Sequence, residues 1–288
     1  MILFEYLKVL LIAIVEGITE WLPVSSTGHM ILLENILPLK AMSDAFYSMF
    51  LYVIQLAAIL AVIVYFFGRL NPFSPKKSSQ EKKSTWRTWM LVLVGVVPAA
   101  VIGLLLDDWV DEHVVKSNFG TYIVAAMLIV YGILYVLIER RKKRDHFRVC
   151  SIDQFTWKDA LLIGLFQCLS IIPGTSRSGS TILGGMVLGI SRGASAEYSF
   201  FMAIPIMAGV SLLKVGKYAL SAMAGVEGYA CTGDEIGMLI FGSVIAFVVS
   251  LVCIRFLMDF VRRHSFEAFG WYRIVLGVLV LLYFGIFV

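Results

Sequence analysis

Three features predict an all-α integral membrane protein with six transmembrane helices plus two re-entrant helix–loop–helix hairpins in an inverted-topology repeat. First, the 288 residues are 59% hydrophobic and only 15% charged, where a soluble domain carries about 25% charge, and the mean hydropathy is +0.87. Second, the apolar residues arrive in blocks of helical length rather than in alternating ten-residue strands, which argues against an outer-membrane barrel. Third, the loops between blocks alternate in charge sign along the chain, the pattern that orients membrane proteins.

Taken in order, the first apolar region, residues 2–37, is interrupted at 16–29 by Glu16, Glu20, Ser25, Ser26, Thr27 and His29. A charge at bilayer depth costs at least about 2.5–3.5 kcal/mol, so such groups face a cavity or a partner. Glu16 and Glu20 are four apart and share a helix face. Pro23 removes a backbone donor and ends the helix at Leu22. Spans follow at about Phe46–Phe67, Trp89–Leu106 and Phe119–Ile138. The second interrupted region, residues 160–190, breaks at Pro173-Gly-Thr-Ser-Arg-Ser-Gly-Ser-Thr181, and spans resume at about Tyr198–Leu213, Met238–Leu257 and Trp271–Val288. Each half of the two interrupted regions is read as only 8–15 residues, too short to cross about 30 Å of hydrocarbon. Irregular backbone at that depth needs protein or a watery cavity around it, so both regions are expected to be hairpins.

The loops Arg69–Arg87, Glu139–Lys158 and Arg262–His264 are basic; those holding Asp107, Asp108, Asp111 and Glu112, and Glu227, Asp234 and Glu235, are acidic. The basic loops are therefore assigned to the cytoplasm, and the two hairpins enter from opposite faces. That arrangement predicts one membrane domain, 1–288, made of pseudo-repeats at about 1–145 and 151–288. Ser74–Ser84 reads as a polar cytoplasmic loop, and no cleavable signal peptide is expected. The four cysteines have no metal spacing.

The two breaks look like a weak internal repeat: apolar residues, a proline, Ser/Thr/Gly and one basic side chain, with Gln167 six before Pro173 much as Glu16 lies seven before Pro23. A hydroxyl loop leading into a helix offers N–H groups and a positive dipole end to an anion. Arg177 adds a planar fork suited to phosphate oxygens. Together with two acids, an imidazole and several hydroxyls, this is an inventory for phosphoryl chemistry.

Glu16-x-x-x-Glu20, Pro-Val-Ser-Ser-Thr-Gly-His29 and Pro-Gly-Thr-Ser-Arg-Ser-Gly-Ser-Thr181 resemble the paired motifs of the undecaprenyl-diphosphate phosphatase, or bacitracin-resistance, family. The resemblance extends to Ile54-Gln-Leu, Glu197-Tyr-Ser-Phe200 and the Arg255–Arg273 region; Ala57 stands where family members often carry Gly. It implies a bacterial inner (plasma) membrane hydrolase, active towards the periplasm, that converts the lipid undecaprenyl diphosphate to undecaprenyl phosphate for cell-wall synthesis. It also implies a divalent-cation requirement.

Glu16 and Glu20 are expected to hold Mg²⁺ or Ca²⁺, because two adjacent carboxylates in low dielectric cannot both stay ionised without a cation; the competing reading is a solvated interfacial helix end. Ser26 is favoured as nucleophile with His29 the nearest base, while His29 itself or a water remains open. Ser25 and Thr27 are read as substrate-binding, against the alternative that these hydroxyls only cap the next helix. Arg177 is expected to clamp the phosphates, with Gly174, Thr175, Ser176, Ser178 and Thr181 around it. Gln55 is read equally as an interhelical hydrogen bond, Glu197 as an acid at a helix start, and His113, His146 and His264 as solvated loop residues. No nucleic-acid partner is expected, and a homodimer is left open. The alternatives in function are a lipid-phosphate transporter or flippase using the same midplane site, and a phosphatase for another lipid.

Overall fold

The computed structural model describes residues 2–117, 119–141 and 147–287. Lys142, Lys143 and Arg144 of the second basic loop, and His146, lie outside the described residues. Within them the chain is helical, with no strand beyond an isolated bridge between Val149 and Ile190. The helices are α1 (Ile2–Thr19), α2 (Ser26–Ile36), α3 (Asp44–Tyr65), the short α4 (Phe67–Leu70), α5 (Ser79–Val110), α6 (Gly120–Arg141), α7 (Trp157–Cys168), α8 (Arg177–Val187), α9 (Arg192–Met223), α10 (Gly233–Arg263) and α11 (Glu267–Phe287).

Among the described residues, six helices are long and apolar enough to cross a membrane: α3, α5, α6, α9, α10 and α11. They are the six expected spans, and the chain is a multi-pass membrane protein. Several run past their apolar cores, because hydropathy marks depth whereas caps mark ends. Ser78 accepts from the Glu81 N–H while the Glu81 carboxylate accepts from the Ser78 N–H, a reciprocal cap that satisfies two otherwise orphaned donors. It starts α5 well before Trp89, so much of the stretch read as a polar loop at Ser74–Ser84 is helical from Ser79. Thr232 and Glu235 start α10 by the same device. At the far end of α5 a π-helical turn, Asp111–Val115, carries His113, which is stacked on Trp109 and is therefore helical rather than in a loop. His264 is exposed at the end of α10, stacked on Phe260.

The helices flanking the two breaks are shorter, at 11 residues for α2 and α8 and 12 for α7; α1, with 18, exceeds the expected 8–15. Its extra turns carry Glu5 and Lys8, whose charges are met by each other and by backbone of the segment after α2.

α6 lies along α11, α3 against both α9 and α10, α1 along α10, and α7 along α5. The α6–α11 approach depends on glycine: a Cβ on Gly132 would meet the Gly270 carbonyl at 2.6 Å, and one on Gly270 would meet the Gly132 carbonyl at 2.8 Å. Small residues of this kind let membrane helices close up. Trp21, Tyr198, Phe200 and Ile254 belong to the largest apolar core.

The two ends of the bundle differ. At one, Arg69 pairs with Glu197 (2.5 Å), Arg192 with Glu139 and Arg140 with Glu267. Asp159, at the foot of α7, is pushed up by burial, but hydrogen bonds from Arg148 and Thr156 outweigh this and hold it below the usual aspartate range. At the other end lie Asp107, paired with Lys214 at 3.8 Å, and Glu235, which accepts from the Ser43 N–H.

Candidate active site

Both breaks close on the same local device. Ser25 and Ser176 are the only non-glycine residues with positive φ among the described residues, at 72° and 70°. Each is the N-cap of the helix that follows, its hydroxyl accepting from the N–H three residues on, Gly28 (3.4 Å) and Gly179 (3.2 Å). Left-handed serine costs of order 1–3 kcal/mol and persists only where its surroundings over-determine it, typically at functional sites. In the second loop Gly174 has φ 93°, and a Cβ there would lie 2.5 Å from the Val124 carbonyl oxygen, so only glycine fits.

Between the loops lies a cavity of about 220 Å³, whose walls include Glu20, Ser26, Gln55, Ser176 and Arg177. The contacts across it define the chemistry. The Ser26 hydroxyl donates to Glu20 Oε2 (3.0 Å), and Arg177 Nη2 donates to Glu20 Oε1 (2.9 Å). Arg177 Nη1 reaches the Ser199 carbonyl (2.9 Å), and its guanidinium lies 5.9 Å from the Trp21 ring centre. Glu20 thus touches a hydroxyl from its own loop and a cation from the other, 157 residues away in sequence. All three side chains are largely withdrawn from solvent, the Glu20 and Arg177 side chains being 6% and 11% exposed. At such exposure charge-assisted hydrogen bonds are strong.

The structure sorts the expected site residues. Glu20, Ser26, Thr27, Gly174, Ser176 and Arg177 line the cavity. Glu16 does not line it; it is buried at 4% exposure one helical turn behind Glu20, with no ion-pair partner among the described residues. Ser178 donates to the Glu20 and Leu22 carbonyls (both 3.3 Å), which ties α8 to the first loop. Thr181 bonds Ser199 (2.6 Å) and Thr175 bonds the Ile172 carbonyl (2.8 Å), so both brace the site from behind. Gln55, read equally as an interhelical bond, is on the cavity wall, and Glu197 is paired with Arg69 away from it.

His29 differs most from expectation. Its Nδ1 lies 2.7 Å from the Ser25 carbonyl and its Nε2 2.7 Å from the Tyr272 hydroxyl, with the two rings stacked 9° from parallel. A carbonyl can only accept, so Nδ1 carries the proton, and in the neutral ring Nε2 accepts from Tyr272. The group against Ser26 is Glu20, not His29. Three contributors, Ser199, Tyr272 and Arg273, lie in stretches the family resemblance covers but were given no role by the sequence reading. Arg273, a charge inside an apolar span, was the one with a readable signal.

For a divalent cation, the donor set is two carboxylates and a hydroxyl. Among the described residues no group of three His, Cys, Asp or Glu is placed to hold a metal. Of the two buried carboxylates, Glu20 is paired with Arg177 and Glu16 has no ion-pair partner among the described residues. Hard oxygen donors, few in number, with negative charge left over suit Mg²⁺, which characteristically uses one or two carboxylates plus phosphate oxygens and water. Glu20 and Ser26 face the cavity as oxygen donors of the kind such an ion takes, and Glu16 stands one turn behind them.

The cavity adjoins an apolar groove of about 300 Å³ between α5 and α9; Ile206 and Val210 line both. Asp107, Asp108, Lys214 and Lys217 also line the groove.

Against known proteins, a model of the family described as "Bacitracin resistance protein BacA" matches residues 9–279. The chain is similar to the undecaprenyl-diphosphatase of Latilactobacillus sakei, 49% identical over 281 residues and 98% of each chain. It is also 50% identical to that of Streptococcus thermophilus, over 98% of this chain and 94% of the other. With the enzyme of Enterococcus faecalis the identity is 49% over 96% of both.

Proposed function

The chain belongs to the bacitracin resistance protein BacA family, and from that premise we propose that it works as an undecaprenyl-diphosphatase through the Ser26–Glu20–Arg177 contact. It hydrolyses undecaprenyl diphosphate to undecaprenyl phosphate and inorganic phosphate, an enzyme of lipid-carrier recycling for the cell wall and of bacitracin resistance. The relatives bear the name of a diphosphatase, and no observation favours the transporter alternative.

The observation that carries the mechanism is the placement of one carboxylate between a hydroxyl and a guanidinium. Glu20 accepts the Ser26 proton as Ser26 Oγ attacks the terminal phosphorus; the bond from that phosphorus to the bridging oxygen breaks, and undecaprenyl phosphate leaves. Glu20 passes that proton to the departing phosphate oxygen and is ionised again. Water then attacks the phosphoserine, Glu20 takes the water's proton and returns it to Ser26 Oγ as the P–Oγ bond breaks, and phosphate departs. Arg177, already desolvated and aimed into the cavity, stabilises the charge that gathers on the equatorial oxygens. Glu16 and Glu20 would hold Mg²⁺ or Ca²⁺, which would neutralise diphosphate charge. Ser25, Thr27, Gly174, Thr175, Ser176, Ser178 and Thr181 shape and brace the anion site through the bonds and walls described above. The polyprenyl chain leaves the cavity by the α5–α9 groove.

The topology follows the same reading. The hairpins α1–α2 and α7–α8 are re-entrant and related by an inverted repeat of about 1–145 and 151–288. Supporting this are the matching serine caps and the crossed packing, in which α1 lies on α10 of the second half and α7 on α5 of the first. The groove runs from the cavity to the end bearing Asp107 and Asp108, opposite the basic end. By the positive-inside rule this end faces the periplasm in a bacterial inner membrane.

The test is phosphate release by purified protein in detergent from a long polyprenyl diphosphate, with Mg²⁺ or Ca²⁺ and then with EDTA. Metal-dependent release, with label from the terminal phosphate trapped by a detergent quench at alkaline pH and mapped to Ser26, is expected. Label on His29 would overturn the nucleophile, and absence of release from folded protein would overturn the activity.

A further inference from the structure

Arg273 is fully buried in α11 at 0% exposure. Its Nη1 donates to the Pro23 carbonyl (3.1 Å), and its Nη2 donates to the carbonyls of Gly174 (2.7 Å) and Thr175 (3.0 Å). No ion pair to it is present among the described residues, its guanidinium lies 5.2 Å from the Tyr131 ring centre, and its Nε has no partner. A buried guanidinium is normally matched by a carboxylate. Among the described residues this one is matched only by carbonyl dipoles and the face of the Tyr131 ring.

The carbonyls it holds correspond to one another. Pro23 lies two residues before the strained cap Ser25, and Gly174 lies two residues before the strained cap Ser176. One planar fork therefore grips the same point of both loops, and those points are far apart in the chain, 250 and 99 residues from Arg273. Three residues after Pro23 comes Ser26, and three after Gly174 comes Arg177, the two groups that meet on Glu20.

We propose that Arg273 is a positioning residue for hydrolysis: it locks the two loops in the register that sets Ser26 and Arg177 on Glu20, and it adds an unneutralised positive charge behind the anion site. The proposal rests on the diphosphatase reading for its kinetic effects but not for its structural one. Arg273 touches none of Glu20, Ser26 or Arg177 through its own bonds, so it acts through the backbone of both loops. Lysine keeps the charge but has no fork, and cannot reproduce three carbonyl contacts in one plane. Glutamine keeps one donor group and loses the charge.

The experiment uses the full chain in detergent with two readouts. In hydrogen exchange followed by mass spectrometry, Arg273→Lys is expected to speed exchange in peptides covering both 20–29 and 172–181 by about tenfold or more, while peptides from the middle of α3 and α10 stay unchanged. In phosphate release from a polyprenyl diphosphate, Arg273→Lys is expected to lower kcat about 100-fold, the scale of a misplacement near 1 Å, with KM within about threefold. Arg273→Gln is expected to lower kcat similarly and also to raise KM. Wild-type exchange in both loops of Arg273→Lys would overturn the proposal whatever the activity, and so would a normal kcat in that variant. Faster exchange throughout the bundle would reduce Arg273 to a general fold contact and overturn it too. If wild-type protein releases no phosphate, the diphosphatase reading fails while the exchange result still decides the lock.

Discussion

The loop at residues 20–25 and the loop at residues 172–176 share a backbone and differ in what they carry. Each ends in a left-handed serine that caps the next helix through a glycine N–H, and each gives Arg273 a carbonyl two residues before that serine. Directly after the cap the first loop has Ser26 and the second has Arg177. Nine residues before the cap the first has Glu16 and the second Gln167, both buried. One loop became the carboxylate and hydroxyl half of the site, the other the cationic half. The backbone device closes a polar turn among buried surroundings; the chemistry lies in the side chains by which the two loops differ.

Variants that erase this difference should have the largest effects. Glu20→Gln keeps an acceptor for Ser26 and Arg177 but removes the base and the charge that joins the loops. It is expected to lower kcat by about 10³-fold or more in phosphate-release assays, with the protein still folded by size exclusion. Arg177→Lys keeps the charge and loses the fork to Glu20 and Ser199; about 10²-fold in kcat is expected, on the scale of removing one transition-state donor. An unchanged rate would show that the fork is not needed and that a point charge suffices.

Making the loops more alike tests the comparison from the other direction. Gln167 has neither amide atom bonded, and Gln167→Glu would put a buried carboxylate in the place corresponding to Glu16 with no cation bonded there. Burying such a charge is expected to lower stability by about 3 kcal/mol, read as thermal unfolding in detergent. Equal stability would mean that the second hairpin has a cation not yet accounted for. The smallest effect is expected at the cap. Ser176→Gly loses a hydroxyl cap, which against glycine costs only a few tenths of a kcal/mol, and relieves a left-handed φ of about 1–3 kcal/mol, partly offset by glycine's greater freedom in the unfolded chain. A net stabilisation of about 1 kcal/mol is expected in thermal unfolding, whereas Ser176→Val, with a branched side chain at φ 70°, should destabilise clearly.

Much of this was legible in the chain. Charges and hydroxyls inside apolar runs pointed to Glu20, Ser26 and Arg177, because placing polar groups there has a cost that only a site or a partner offsets. The spans were legible for the complementary reason. What was not legible was the pairing. Proline was used to match the breaks, pairing Pro23 with Pro173, whereas the strained serines match Ser25 with Ser176 and so Pro23 with Gly174. Proline marks where a helix must stop, but the close of the turn is set by the φ of the cap. His29 was read with Ser26 because they are close in sequence; in the fold its partners are the Ser25 carbonyl and Tyr272, 243 residues on. Tyr272 and Arg273 act over such separations; Arg273 shows locally only as a charge inside an apolar span, and nothing local announces Tyr272. α5 and α10 outran their apolar stretches because capping boxes sit outside the membrane segment.

The central claim is that the two loops act as one unit through Glu20. A double-mutant cycle in kcat/KM for phosphate release, with Glu20→Gln, Arg177→Lys and the combined variant, tests it most directly. Residues that work as a unit are strongly non-additive, so the double variant is expected to be no slower than Glu20→Gln alone. Losses that multiply across the cycle would mean that Glu20 and Arg177 act independently, and would contradict a site built from both loops.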